Sequence, residues 1–242
     1  MFVHGDPSTV DTAAKIIHTF KTLGPSRFAF FCKQYLKSPN PIRLWDTDHA
    51  FSRIYKQVND HTLVDRPRCF MLYQCMRQTA SIPGDIAEIG VYRGGTARLM
   101  AEVMSPSKAL HLFDTFSGMP ETMKDKDFHV QGDFSDTSLK EVTQYLSDYP
   151  QIKIYPGFFP DTAGPVATRT FSMVHIDVDI YRSVLDCCSF FYPRTSPGGC
   201  LVFDDYGLVT CPGAKSAVDE FFLGKAEHPI YLPTGQCLVV RV

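Results

Sequence analysis

The feature that most constrains this chain is an alternation that begins near Asp85. Short apolar and β-branched runs, Asp85 to Val91, Ala109 to Thr115, Ile152 to Gly157, Phe171 to Val178 and Gly199 to Phe203, read as strands. Between them lie stretches with helical spacing: Thr96 to Met104, Ser138 to Asp148, Ile180 to Tyr192 and Ala214 to Phe222. Strands joined through helices need crossover connections, so the pattern predicts a largely parallel sheet with helices on both faces. The last segments, Pro229 to Leu232 and Cys237 to Val242, flank Pro233-Thr234-Gly235-Gln236 and predict a hairpin. The expected fold is α/β: a doubly wound, mostly parallel, seven-stranded sheet.

Residues 11 to 80 carry apolar positions at helical spacing, such as Ala14, Ile17 and Phe20, then Phe28, Phe31 and Tyr35, broken at Gly24-Pro25 and Pro39-Asn40-Pro41. A further amphipathic run, Cys69 to Arg77, leads into the turn Pro83-Gly84. The expected organisation is a helical annex over residues 1–80 and the α/β domain over 81–242. Gly118 to Asp136 is long and polar, and reads either as a mobile active-site loop or as a solvated connection.

A formal net charge of -2 leaves no broad basic field to neutralise phosphates, which argues against a nucleic-acid partner and for a small-molecule one. The eight cysteines show no zinc-site spacing and read as reduced packing residues. Nothing resembles a basic leader or approaches the roughly 18 apolar residues of a membrane span, so the expected location is cytoplasmic.

The first strand runs into Glu88-Ile89-Gly90-Val91-Tyr92-Arg93-Gly94-Gly95-Thr96. Glycines there permit a sharp turn and let backbone N–H groups face a ligand. A dinucleotide loop would read Gly-x-Gly-x-x-Gly; this one reads Gly-x-x-x-Gly-Gly, with an acidic residue two places earlier. S-adenosylmethionine brings an ammonium and a sulfonium instead of phosphates, and a carboxylate at Glu88 suits it. The loop residues Gly90, Tyr92, Gly94, Gly95 and Thr96 are expected beside this cofactor, although an ordinary strand-to-helix turn has the same local pattern. Asp114 ends the second strand where an acidic side chain accepts ribose hydroxyls in such folds, with Ser117 in the same crevice. A turn or helix-capping role would also suit Asp114.

The most specific signal is acidic. Phe171 to Ile176 leads into Asp177-Val178-Asp179, and Cys200 to Phe203 leads into Asp204-Asp205. Two adjacent parallel strands thus deliver four carboxylates to the sheet edge where α/β folds bind ligands. Anions so close repel one another and take up protons or a cation. An oxygen-only set favours Mg2+, with Mn2+ or Ca2+ as alternatives, although Asp179 also stands where it could cap the next helix. His175, inside an apolar strand, reads more readily as a satisfied core histidine than as a base.

The runs His175-Ile-Asp-Val-Asp-Ile-Tyr-Arg-Ser, Tyr192-Pro-Arg, Asp204-Asp-Tyr-Gly and Cys211-Pro-Gly-Ala-Lys-Ser resemble the macrocin O-methyltransferase (TylF/MycF) family, as do Glu88-Ile-Gly-Val-Tyr-Arg-Gly-Gly, Asp114-Thr-Phe-Ser-Gly, Gly132-Asp-Phe-Ser and Gly157-Phe-Phe-Pro-Asp-Thr. The resemblance implies a Rossmann-like class I methyltransferase fold that methylates hydroxyls on natural-product sugars with S-adenosylmethionine and magnesium. It implies Asp177, Asp204 and Asp205 as metal ligands, with Asp177 thereby catalytic. It also implies Asp179 as a candidate base, and Glu88, Gly90 and Asp114 against the cofactor; Phe158, in the Gly157-Phe-Phe run, is expected on the cofactor side as well. Catechol-type relatives carry a lysine after the first metal aspartate; here the nearest cation is Arg182, too basic to accept a proton.

Two rival readings remain at this level: a metal-dependent tailoring enzyme such as a hydroxylase on the same framework, and a non-catalytic S-adenosylmethionine-binding protein. Apolar positions over Phe28 to Leu36 suggest a homo-oligomer, dimer or larger.

Overall fold

The computed structural model describes His18, Lys21, Thr22, residues 24–30 and residues 43–242. It contains two units, Met1–Thr47 and Asp48–Val242. In the first, Leu44–Thr47 forms a short helix. The helical spacing expected at Ala14, Ile17, Phe20, Phe31 and Tyr35, and most of the seam expected over Phe28 to Leu36, lie outside the described residues.

The second unit is organised around β4 (Phe171–Ile176), which is buried along its whole length. A strand covered on both faces has no use for polar alternation, and its sequence shows none apart from Ser172 and His175. On one side of β4 lie β1 (Asp85–Ile89), β2 (Leu110–Asp114) and β3 (Ile152–Pro156); on the other lie β5 (Thr195–Phe203), β7 (Cys237–Val240) and β6 (Ile230–Tyr231). The order β3-β2-β1-β4-β5-β7-β6 is parallel through β5, and β7 and β6 run antiparallel as the hairpin signal predicts. The chain reverses its direction of sheet growth between β1 and β4, which opens a crevice at their carboxyl ends.

Helices α1 (His49–Val58) and α2 (Arg66–Gln78) precede the sheet, followed by α3 (Gly95–Val103), α4 (Leu139–Tyr145), α5 (Tyr181–Phe191) and α6 (Pro212–Phe222). Asp48 and Asp65 cap α1 and α2 by accepting from the Phe51 and Arg68 N–H groups. Helix α2 packs against α3 and β4, so residues 48–80 share a compact unit with the sheet. The aromatic rings of Phe113, Phe159, Phe171 and Phe191 interlock beneath α5, and burying each contributes about 1.5–3 kcal/mol.

One strand begins earlier than its sequence suggests. Ser196-Pro197-Gly198-Gly199 reads as a turn, yet β5 starts at Thr195 and absorbs these residues as a bulge, pairing jumping from Phe171↔Thr195 to Met173↔Cys200. Hydrogen bonds from Gly198 N–H to Arg241 and from Arg241 N–H to Gly199 hold the bulge in the sheet. The seven described cysteines are free and buried, as packing residues should be. No helix among the described residues is long and apolar enough to cross a membrane.

Candidate active site

A cleft of about 280 Å³ opens at the carboxyl ends of β1, β2, β4 and β5. Its floor is the turn after β1. Gly90 sits at φ +88°, and a Cβ there would collide with the carbonyl oxygen of Asp177, whose N–H donates to Ile89. The turn and the first acidic strand tip therefore touch backbone to backbone, which only glycine permits. Tyr92 follows at φ +51°, its hydroxyl donating to Asp136.

Asp114 holds this turn in place. Its Oδ2 accepts from the N–H groups of Val91 and Tyr92 at 2.7 and 3.0 Å, and its Oδ1 accepts from Phe116 at 2.6 Å. A carboxylate offers about four lone-pair positions, so Asp114 keeps capacity for a ligand hydroxyl while acting as a clamp. Thr96 and Phe158 line the cleft with it. Gly94 and Gly95 start α3 behind the wall, where a Cβ on Gly95 would strike the His61 carbonyl group. Ser117 is exposed outside the lining, its N–H turned back to the Thr115 hydroxyl.

The acidic residues divide into two layers. Asp177, Asp179 and Asp205 line the cleft. Asp204 and Glu88 lie deeper, fully buried, with the His175 ring between them: Nδ1 is 2.9 Å from Glu88 and Nε2 is 3.4 Å from Asp204. Both ring nitrogens face carboxylate oxygens. Burial pushes the His175 pKa down, but its bonds to Asp204 and Glu88 outweigh that and hold it well above the usual range. His175 is thus the satisfied core histidine of the sequence reading, and Glu88 is its partner beneath the cofactor loop.

Asp204 also accepts from Arg68 of α2 and, at 2.7 Å, from Gln236 of the β6–β7 turn. Burial raises its carboxyl, yet His175 and then Arg68 reverse the shift and keep it below the usual value. For Asp177 the charges of His175 and Arg68, and for Asp205 the Asp179 N–H, compensate only in part. Burial first, then the neighbouring carboxylates, push both well above the ordinary range. The sequence argument that these anions cannot all stay ionised cheaply is matched here by two carboxyls whose hold on a proton is strengthened by burial and by one another. Asp177, Asp204 and His175 bring ligand atoms within 4.8 Å of one another; Asp205 instead points its Oδ2 at the Asp179 N–H, 3.0 Å away.

Asp179 is not a helix cap. Helix α5 is capped from outside by Asp127, whose Oδ1 accepts from the Tyr181 N–H at 2.9 Å. Gly213 leaves room for that carboxylate, since a Cβ there would overlap it. Relieved of capping, Asp179 adopts φ +59° and faces the cleft beside His129 and Cys211. Among the described non-glycine residues, Tyr92, Phe116, Phe134 and Asp179 adopt positive φ, and three of these line the cleft, a clustering typical of functional sites. Asp127 also fixes the 118–136 segment, which folds back on itself through Met119 and Asp133 as a packed wall of the cleft.

Sequence reasoning missed Arg68, Asp127, His129 and Gln236, all brought in from distant segments. Tyr181, Tyr206 and Lys215, near the acidic strand ends in sequence, turn away to Glu220 and Asp219 and leave the cleft lining.

A seven-stranded sheet with this order, a glycine turn after β1, an acidic end to β2 and a ligand cleft at the switch point are the architecture of the class I S-adenosylmethionine-dependent methyltransferases. The similarities agree. Residues 52–236 match the model of the macrocin O-methyltransferase (TylF) family, and the chain belongs to that family. It is 30% identical over 181 residues to demethyldecarbamoylnovobiocin O-methyltransferase of Streptomyces niveus, covering 68% of each chain. It is 28% identical over 180 residues to mycinamicin III 3''-O-methyltransferase of Micromonospora griseorubida, covering 66% of this chain and 70% of that one. The solved structure of the O-methyltransferase NovP superposes with a TM-score of 0.67 at 29% identity, covering 75% of this chain and 82% of its own.

Proposed function

We propose that this enzyme methylates a hydroxyl on the sugar of a natural product or related glycoside, with a divalent cation, Mg2+ before Mn2+ or Ca2+, held by Asp177, Asp204 and Asp205. The observation that carries the reading is the meeting of Asp177 and Asp204 ligand atoms within 4.8 Å of one another at adjacent strand tips, in a group that His175 shares, with Asp205 close enough that burial and like charge raise both Asp177 and Asp205. The name of one relative, 8-demethyl-8-(2,3-dimethoxy-alpha-L-rhamnosyl)-tetracenomycin-C 4'-O-methyltransferase of Streptomyces olivaceus, carries a sugar and supports the acceptor class. In this scheme residues 81–242 are the methyltransferase domain and residues 1–80 the helical N-terminal annex; Thr62, Leu63, Val64 and Arg68, which share a compact unit with the sheet, line the cleft.

S-adenosylmethionine supplies the electrophilic methyl carbon on its sulfonium. Gly90 and Tyr92 shape the turn against it, with Gly94 and Gly95 allowing the close approach of α3. Thr96 and Asp114 offer hydroxyl and carboxylate partners, Phe158 an aromatic face, and Ser117 the outer rim. Glu88 acts from below, its charge shared with His175. The cation, when bound, polarises the acceptor oxygen as a Lewis acid and lowers its pKa. Asp179 faces the same space and takes part in removing the proton. Holding oxygen, methyl carbon and sulfur in line contributes on the order of 7–11 kcal/mol in favourable cases.

Transfer of labelled methyl to a panel of sugars, glycosides and catechols, followed by mass spectrometry with and without Mg2+, tests the reading. Methylated glycoside that disappears with a chelator is the expected result, and D177A should lose transfer while keeping cofactor affinity. Equal turnover in metal-free buffer rules out the cation, and product from catechols alone rules out the sugar.

A further inference from the structure

The proton released by the acceptor needs a holder among the groups that face the cleft. Asp177 and Asp205 are among the proposed ligands, which leaves Asp179 and whatever stands opposite it. The wall opposite them is the 118–136 segment, which Asp127 pins to α5, and one imidazole projects from it.

His129 lines the cleft with its side chain 18% exposed. Its Nδ1 lies 3.1 Å from Oδ2 of Asp133, one turn further along the same segment. Its Nε2 faces inward, 3.7 Å from Oδ1 of Asp179 and 3.7 Å from the sulfur of Cys211. These are the titratable groups around the ring: Asp133 from its own segment, Asp179 from the loop after β4, and Cys211 from the start of α6. The thiol donates to Asp179 at 3.3 Å, and burial pushes it far above its ordinary pKa, so it stays neutral. Phe134 packs near the ring, 5.3 Å between centroids.

This arrangement has a direction. Asp133 also accepts from the Val130 N–H, and that bond, followed by the His129 ring, keeps its carboxyl below the usual range. An ionised acceptor at Nδ1 fixes the tautomer with the hydrogen on Nδ1, which leaves the Nε2 lone pair aimed into the cleft. Asp179 beside Nε2 then stabilises the imidazolium that forms when the lone pair takes a proton, while Asp133, 37% exposed, connects the ring to solvent. Imidazole is the side chain whose ordinary pKa lies nearest neutrality, the range where general bases work best.

We propose that His129 is a further catalytic base of the methyl transfer, acting with Asp179, and that Asp133 is its positioning residue. The inference rests on the methyltransferase reading above. The acceptor O–H bond breaks and its proton goes to Nε2 of His129; the oxygen lone pair forms the new C–O bond; the C–S bond breaks with its electrons returning to sulfur, which becomes a neutral thioether. The positive charge of the sulfonium is replaced by that of the imidazolium, which loses the Nε2 proton to water once the products leave the cleft and so returns to the tautomer with hydrogen on Nδ1.

The test compares wild type, H129Q, H129A and D133N by pH–rate profile, cofactor affinity and rescue with free imidazole. H129Q is expected to lower kcat by about 10²–10⁴-fold, the usual contribution of a general base, with cofactor affinity changed less than twofold. The acid limb of the wild-type profile disappears in H129Q, D133N moves that limb with a smaller loss of kcat, and imidazole restores part of the H129A rate. A kcat for H129Q within threefold of wild type with the limb retained overturns the assignment, as does a pure rise in acceptor KM. If wild type itself transfers no methyl to any hydroxyl acceptor, the parent reading falls and this one with it, an outcome distinct from an active wild type and an active H129Q.

Discussion

The guanidinium of Arg68 and the carboxylate of Asp204 form a buried ion pair between α2 and the tip of β5, two segments 136 residues apart in sequence. The side chains are 13% and 0% exposed, so the pair is shielded from solvent and from salt. Arg68 therefore neutralises the deepest aspartate of the cluster from the helix that precedes the sheet.

Replacing Arg68 by Met should strand Asp204 as a buried anion with only His175 and Gln236 beside it. Loss of one member of a buried pair typically costs about 3–5 kcal/mol. The expected outcome is a lower Tm in chelator, partly recovered by Mg2+ to a greater extent than in wild type. Thermal melts of both proteins with and without Mg2+ check it, and equal metal-induced shifts would rule out the coupling.

Asp127→Ala removes the external cap of α5 and the anchor of the 118–136 wall. Caps of this kind contribute about 0.5–2 kcal/mol, so the fold should survive with a modestly lower Tm. Trypsin should cut faster at Lys124 or Lys126, and acceptor KM should rise more than cofactor Kd. A cleavage rate equal to wild type would show that the segment is held by other contacts.

Gly90→Ala places a methyl group against the Asp177 carbonyl in a backbone region that costs L-residues roughly 1–2 kcal/mol on its own. Cofactor binding, measured by calorimetry, should be lost along with some stability, because the turn and the acidic tip must part. Retained affinity would mean that the turn does not contact the cofactor.

Stability should fall with rising pH in metal-free buffer. His175 has a folded-state pKa held above its unfolded value, so its contribution is complete below about 6.5 and is lost as pH rises through the folded value. Asp177 and Asp205, also raised, bind protons in the folded state that the unfolded chain has released above about 3.9, which has the same sign. A cation that binds the ionised carboxylates opposes this trend, so the Mg2+-induced rise in Tm should grow from pH 5.5 to 8. A Tm in chelator that is flat over that interval would contradict the assignment.

The sheet was legible because buried strands and amphipathic helices leave periodic signatures: β1 to β4, α5 and the final hairpin lie within a few residues of where the sequence places them. The bulge at Ser196 to Gly199 was not, since Pro-Gly-Gly reads locally as a turn and only pairing with the Arg241 backbone keeps it in the strand. The convergence of Asp177, Asp179 and Asp205 followed from strand ends and register. Their inequality did not: what separates Asp204 from Asp177 is contact with Arg68, His175 and Gln236, and side chains from three remote segments leave no local trace. Asp179 also read as a possible cap; Asp127, 54 residues before Tyr181, occupies that role.

Gln236 donates both to Asp204 and to the backbone carbonyl of Arg68, a residue made 168 positions earlier. During synthesis the early helix and the first strands emerge and can fold well before the hairpin exists. Until that amide arrives, the pair beneath the cleft lacks one of its donors. The ribosome thus delivers the five parallel strands before the turn that finishes their acidic centre, and a nascent chain paused ahead of Gln236 would hold the framework without the finished site.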